Sequence, residues 1–239
     1  MIIDERRAMA DRLENLTEDQ WRRPSLCAGW TVHDVAAHLV SFLRFGQAKL
    51  YLGLTATAGS VDRLNVFLTR REARRSRQEI VRRLRDDAGS RFSIPRSGYD
   101  PVLTDLMLHD LDIRRPLGIP RATPPERLWV AFAHLTTRPT PGFTMGTRLD
   151  NLRLEATDTG WAHGQGALVR GTADALLLGI GGRAQALDEL TGDGVAPLRE
   201  RLASTPPAGP VARMAAVVRV VTHPAPPDRR SRDAVVPPA

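Results

Sequence analysis

Two short runs hold the side chains with the widest chemical reach. "WTVHDVAAHLV", residues 30–40, carries His33 and His38, and "TDLMLHDLDIRRPLG", residues 104–118, carries Asp105, His109, Asp110 and Asp112. Imidazole is the commonest metal ligand and the usual proton carrier near neutral pH. On a helix turning 100° per residue, with Val35 as reference, Phe42 lies about −20° away, Leu39 about 40° and His38 about −60°. His38 thus sits at the edge of the core-facing side, whereas His33, about 160° away, is expected to face solvent. Five residues apart, the two cannot share one ion on a regular helix, where i and i+4 lie on one face. Asp105 and His109 do have the i, i+4 spacing, and Asp112 follows three residues on. A carboxylate and an imidazole so placed can reach one metal ion, and bundle-core sites are built from such pairs on facing helices. Together with an inward His38 they would make a set of two histidines and one carboxylate. Three protein ligands with an open position is the catalytic zinc pattern rather than the closed structural one. The competing reading makes Asp105 and His109 a surface pair, with Asp110 and Asp112 balancing Arg114 and Arg115.

The remaining histidines, His134, His163 and His223, lie away from these runs and are not expected to be ligands. Cys27, the sole cysteine, adjoins the start of the His38 helix. A thiol there can have a lowered pKa, but the plainer reading is a small residue in a turn. A single cysteine allows no intrachain disulfide, and this fits a reducing cytoplasm. The stretch from residue 4 onward is charged and has no apolar signal core, and no apolar run reaches the ~18 residues of a membrane span.

The elements that position these residues follow from hydrophobic period and punctuation. Residues 3–16 read as an amphipathic helix with Ile3, Met9, Leu13 and Leu16 near one face. Thr31 supplies an N-cap with Asp34 three residues on, opening a helix to about Leu52. A charged helix is expected over 61–88, and another from Asp100–Pro101 to before Pro116. Four helices with modest connections predict a four-helix bundle over 1–120. Past "IPRATPP", a helix at "PERLWVAFAHLTT", short extended stretches broken by Gly, and a return to helix at "TADALLLGIGG" predict a small α/β domain over 126–203. Residues 204–239 are rich in Pro and Ala and are expected to be largely flexible.

The net charge of +7 comes almost wholly from arginine, with ten Arg against five acids in residues 62–91 and five against two in 204–239. Nucleic-acid binding must therefore be weighed. It is not expected, because the charges in 62–91 are mixed in sign, as on a solvated helix face, and no aromatics alternate with the arginines to stack bases.

Taken together, these segments resemble a known family. "ERRAMADRLENLTEDQWRRPSLCAGWTVHDVAAHLV" resembles the N-terminal segment of the mycothiol-dependent maleylpyruvate isomerase family, part of the DinB-like metal-binding superfamily. The features are Pro24, Ser25, Cys27, Gly29, Trp30, Thr31, Val32, Asp34, Val35, Ala37, His38 and Leu39. "HDLDIRRPLG" resembles the family's second motif, and "GTADALLLGIGGRAQALDEL" its C-terminal, sterol-carrier-like α/β domain. The resemblance implies an α+β protein with a DinB-like four-helix bundle and a smaller C-terminal domain. It implies a divalent metal, usually zinc, held by His38, Asp105 and His109; a family member carries Glu where this chain has Asp105, one methylene shorter. It also implies an arginine from the C-terminal domain that binds a substrate carboxylate. Arg183, in Gly-Gly-Arg, is the matching residue, with Arg114 and Arg115 as alternatives whose plainer role is salt bridging. The implied activity is a cytoplasmic, mycothiol-dependent cis–trans isomerase or S-transferase acting on a small electrophile. Two other readings stay open: a non-catalytic metal-binding interaction module, and hydrolysis by metal-bound hydroxide. The oligomeric state is not legible.

Overall fold

The structure, a computed structural model, describes residues 1–93, 98–120, 122–137 and 149–204. The Pro/Ala-rich tail, from residue 205 on, and His223 lie outside them. The helix-rich N-terminal part comprises α1 (Ile2–Glu14), α2 (Glu18–Arg22), α3 (Val32–Ser41), α4 (Gln47–Ala56), α5 (Val61–Glu72), α6 (Arg77–Asp86) and α7 (Asp100–Arg114). After α8 (Pro125–Thr137) come β1 (Leu152–Ala156), β2 (Ala162–His163), β3 (Ala167–Gly171), α9 (Ala173–Ile180), a 3-10 helix (Ala184–Glu189) and α10 (Val195–Ala203).

Two expected helices are each broken in two. The first, expected to run to about Leu52, stops at Ser41, whose hydroxyl donates to the His38 carbonyl at 2.7 Å. That local bond competes with the helix ladder, and Gly46 caps the start of α4. The second, expected over 61–88, stops at Glu72 and restarts at Arg77. Ser76 accepts from the Glu79 N–H and supplies a fresh N-cap. The arginines of this region are mostly spent on acids: Arg75 and Arg83 meet buried Glu72 as well as Glu79, Arg82 meets Asp86, and Arg85 meets Asp11 and Glu14.

In the first core Met9, Ala10 and Leu13 of α1 pack with Val35, Ala36, Leu39 and Val40 of α3, Ile80 and Leu84 of α6, and Leu106 and Ile113 of α7. The second core joins Leu103, Met107, Leu108 and Leu111 of α7 to Leu128 and Phe132 of α8, the sheet and α9. The sheet has the order β2-β1-β3, with β2 antiparallel and β3 parallel to β1. Leu152, Leu154 and Ala156 alternate inward along β1, as a half-buried strand requires. Helix α7 therefore serves both cores and is apolar-packed on two flanks. It carries Asp105, His109 and Asp112 along a third line between them.

Candidate metal centre

The segment before α3 forms a tight turn. The Ser25 and Trp30 backbones bond at 2.9 Å, the Ser25 hydroxyl donates to the Trp30 carbonyl at 2.8 Å, and Gly29 takes φ +78°. That left-handed value favours glycine. The Leu26 N–H donates to the Asp112 carbonyl at 3.0 Å, tying the turn to α7. Thr31 and Asp34 then cap α3 reciprocally: the Asp34 N–H donates to the Thr31 hydroxyl at 3.2 Å, and the Thr31 N–H to the Asp34 carboxylate at 2.9 Å. This start fixes which way α3 faces and places Trp30 over the site, 5.4 Å from the His38 ring and 6.3 Å from the His109 ring.

His38 of α3 and the pair Asp105 and His109 of α7 come together, with one ligand atom from each within 4.8 Å of the others. Asp105 places Oδ2 at 3.4 Å from His38 Nε2 and Oδ1 at 3.4 Å from His109 Nε2. Ligand bonds of about 2.0–2.1 Å around a tetrahedral zinc set its donors about 3.3 Å apart. The two 3.4 Å distances run to different Asp105 oxygens, and a set of one atom per residue, within 4.8 Å, would draw in slightly around one ion. The other ring nitrogens are engaged. His109 Nδ1 lies 2.9 Å from Asp112 Oδ2, and His38 Nδ1 lies 3.4 Å from the Thr69 hydroxyl. A carboxylate behind Nδ1 selects the tautomer that leaves Nε2 free to ligate. Both rings are buried, while the Asp105 side chain is 32% exposed, so the carboxylate marks the open side.

Electrostatics in the metal-free chain follow from this packing. Burial pushes the Asp105 carboxyl up, but the His109 and His38 imidazoles outweigh it and hold it far below the usual carboxylate range. Burial works against a charged His109, yet Asp105 and Asp112 raise it to about 9.

Arg183 enters through Asp112. Its Nε donates to Asp112 Oδ1 at 2.9 Å, its Nη2 to Oδ2 at 2.5 Å and its Nη1 to the Gly181 carbonyl at 2.6 Å. Two glycines permit this. A Cβ on Gly181 would sit 2.6 Å from the Leu108 side chain, and Gly182 takes φ +91°. The chain can therefore pass close to α7 and turn Arg183 back toward it. Spacing alone had offered Asp112 only as a balance for Arg114 and Arg115; it instead connects His109 to Arg183. Arg114 joins Asp110 to Asp174 of α9, and Arg115 pairs with Glu189, the bridging role expected of both.

The expectation for His33 is corrected. Its ring is half-buried, edge-on to Trp21 at 5.5 Å, with Nε2 3.1 Å from the Ala73 carbonyl at the end of α5. The break after Glu72 supplies that acceptor, and an unbroken helix would not. Cys27 is buried, and burial first, then the nearby Asp112 carboxylate, pushes its thiol up to about 12. The plain reading of that residue holds. His163 stacks near Trp161 and His134 is buried in α8, both away from the metal set.

Comparison with known proteins meets this geometry. Residues 3–94 match the family model of the mycothiol maleylpyruvate isomerase N-terminal domain. Over that span, under half of the chain, the sequence is similar to this family. The matched span includes His38 and the Trp30 turn; Asp105, His109 and Arg183 lie beyond it. Two solved structures are similar, one of a mycothiol-dependent maleylpyruvate isomerase and one of its histidine-to-alanine mutant. Each is 15% identical, with 81% of this chain and 93% of that chain covered and a TM-score of 0.46. No curated protein sequence matches. Among the described residues, no helix is long and apolar enough to cross a membrane.

Proposed function

We propose that the protein is a metal-dependent enzyme that uses mycothiol to isomerise, or to transfer sulfur to, a small electrophile bearing a carboxylate. One observation carries the reading: His38 Nε2, an Asp105 oxygen and His109 Nε2 converge near enough to draw in around a single ion, with both Nδ1 atoms held from behind. Two imidazoles and a carboxylate with an open position suit a catalytic zinc. Bound there, the ion would hold a small thiol as its thiolate, since coordination deprotonates a thiol outright. Mycothiol is the thiol named by the family that residues 3–94 match.

The chain's own residues support an external thiol. Cys27 is buried and kept protonated, so the protein offers no nucleophilic sulfur of its own. In the proposed reaction the thiolate sulfur adds to the β-carbon of a double bond conjugated to a carbonyl. The S–C bond forms, the π bond breaks and the electron pair moves onto the carbonyl oxygen. Rotation about the new single bond, return of the pair and expulsion of the thiolate give the trans isomer with no net redox change. Uptake of a proton at the α-carbon instead leaves a thioether, the transferase outcome.

Arg183 has five N–H donors, of which Asp112 and the Gly181 carbonyl take three. The two left over, one each on Nη1 and Nη2, are the pair that would orient a substrate carboxylate. Asp112 positions both partners, holding His109 by Nδ1 and Arg183 by its side edge. The helical part over 1–120 would thus bind the metal, and the part over 126–203 would present the arginine. A small-thiol reaction fits the reducing cytoplasm, and no nucleic acid is needed. Zinc-loaded protein should hold one ion per chain, and mycothiol should raise its Tm only in the loaded form. His38→Ala and His109→Ala should lose the ion. Full metal content in either variant, or a thiol-induced shift in metal-free protein, overturns the reading.

A further inference from the structure

Beside the metal set lies an aromatic group that the reaction above does not use. Phe42 follows His38 by one helical turn, with its ring edge-on to His38 at 6.1 Å. Phe45 meets Phe42 edge-on at 5.5 Å, and Phe92 stacks on Phe42 at 5.2 Å and 26°. All three are half-buried, and none belongs to either hydrophobic core or packs against one. Val102, also half-buried, precedes Asp105 by three residues and so shares its face of α7.

The group is held in place. The Phe92 N–H donates to the Ser90 hydroxyl at 3.3 Å, that hydroxyl donates to the Leu43 carbonyl, and the Arg6 guanidinium donates to the Ser90 carbonyl at 3.0 Å. Three ordered phenyl rings left partly open beside a cluster of convergent polar groups is the make-up of a ligand site, apolar walls around a few polar anchors. Buried rings in a core would need no such opening, and scattered surface phenylalanines would not stack on one another and on a candidate ligand.

We infer that Phe42, Phe45 and Phe92 form an aryl-binding wall of the metal centre, and that the electrophile carries a flat apolar group of ring size. This rests on the thiol reading above for what reacts, though not for what binds. The wall lies at the C-terminal end of α3, beside His38, which meets the half-buried carboxylate of Asp105. Arg183, reached through Asp112, lies further along α7. One molecule would therefore place its ring against the phenylalanines and its carboxylate toward the arginine, with the reactive double bond between.

A matched pair of probes tests this: 2-oxo-4-phenylbut-3-enoate and 2-oxopent-3-enoate, which share the keto acid and the double bond and differ in phenyl against methyl. With zinc-loaded full-length protein, Kd is measured calorimetrically without thiol, and kcat/KM with mycothiol from loss of the enone absorbance. The phenyl compound should be favoured at least about tenfold, the scale on which apolar pockets discriminate by size. Phe45→Ala and Phe92→Ala should collapse that ratio. Phe92→Leu, which keeps apolar bulk, should retain the wild-type Tm and fall between. Equal Kd for the two compounds in the wild type overturns the wall, and turnover of both without preference would leave the thiol chemistry standing. A phenyl preference in Kd that the variants lose, with no turnover of either probe, would keep the wall and remove the thiol chemistry.

Discussion

Asp112→Ala is the substitution with the sharpest expected consequence. The Asp112 side chain is fully inaccessible, and the Arg183 side chain is 8% exposed. Removing the carboxylate leaves a buried guanidinium with only the Gly181 carbonyl, and leaves His109 Nδ1 without its acceptor. Breaking a buried pair by deleting one partner costs about 3–5 kcal/mol, because the other charge stays uncompensated. At about 2–4 °C per kcal/mol for a chain of this size, Tm should fall by roughly 6–20 °C. Urea melts of the metal-free protein isolate this stability term, and a competitive zinc titration should show about 10–100-fold weaker binding as His109 loses its support. The double variant Asp112→Leu, Arg183→Met should recover most of the loss, since an apolar pair of similar volume leaves no buried charge. Burial opposes ionisation of Asp112, but Arg183 and His109 outweigh it and hold its pKa below the usual value. Its contribution is therefore present above about pH 3.9 and lost as pH falls through its lower folded value. The deficit of Asp112→Ala should accordingly be full near neutrality and shrink in strong acid. A melt within about 1 kcal/mol of the wild type at pH 7, or a double variant no better than the single one, would refute the reasoning.

Three further outcomes are expected. His109, raised to about 9 in the metal-free chain, contributes stability that is full below about pH 6.5 and lost as pH rises through 9. Zinc must displace its proton, so uptake near pH 7 should release about one proton and affinity should rise with pH up to about 9; proton-neutral uptake counts against the assignment. Native Cys27 should resist iodoacetamide at pH 8 and react fully in urea, because its thiol is buried and pushed up to about 12; rapid native labelling would show the turn to be open. Gly182→Ala, forced to φ +91°, should lose about 1–2 kcal/mol in a urea melt, and an unchanged midpoint would mean that the turn to Arg183 carries no strain.

How much was legible depended on whether the signal was local. The i, i+4 pair Asp105 and His109, the inward His38 and the Thr31–Asp34 cap all follow from spacing along one helix, and each appears as read. The breaks after Ser41 and Glu72 were missed because hydrophobic period continues across them. Ser76 with Glu79 three residues on is a capping signature that could have located the second. His33 was misplaced for the same reason: its acceptor, the Ala73 carbonyl, exists only because α5 ends there. The use of Asp112 was not readable, since its partner stands 71 residues away on a turn made by two glycines. The arginine itself came from the family resemblance, not from any pattern in the residues around it.

The placement of α7 explains why the polar line sits where it does. Leu106 and Ile113 face one core, and Leu103, Met107, Leu108 and Leu111 face the other. Asp105, His109 and Asp112 line up between the two cores, within one narrow face of the helix, while Asp110 and Arg114 pair with each other off that line. Exposure falls steadily along it, from 32% at the Asp105 side chain to 9% at His109 and 0% at Asp112. In the proposed enzyme a substrate would arrive at the Asp105 end, the end beside the three phenylalanines. The Asp112 end is sealed by Arg183, and Arg114 pins the same helix to Asp174 of α9. Loosening the second core should therefore reach His109 through Arg183 and Asp112, although no residue of that core lies in the metal set.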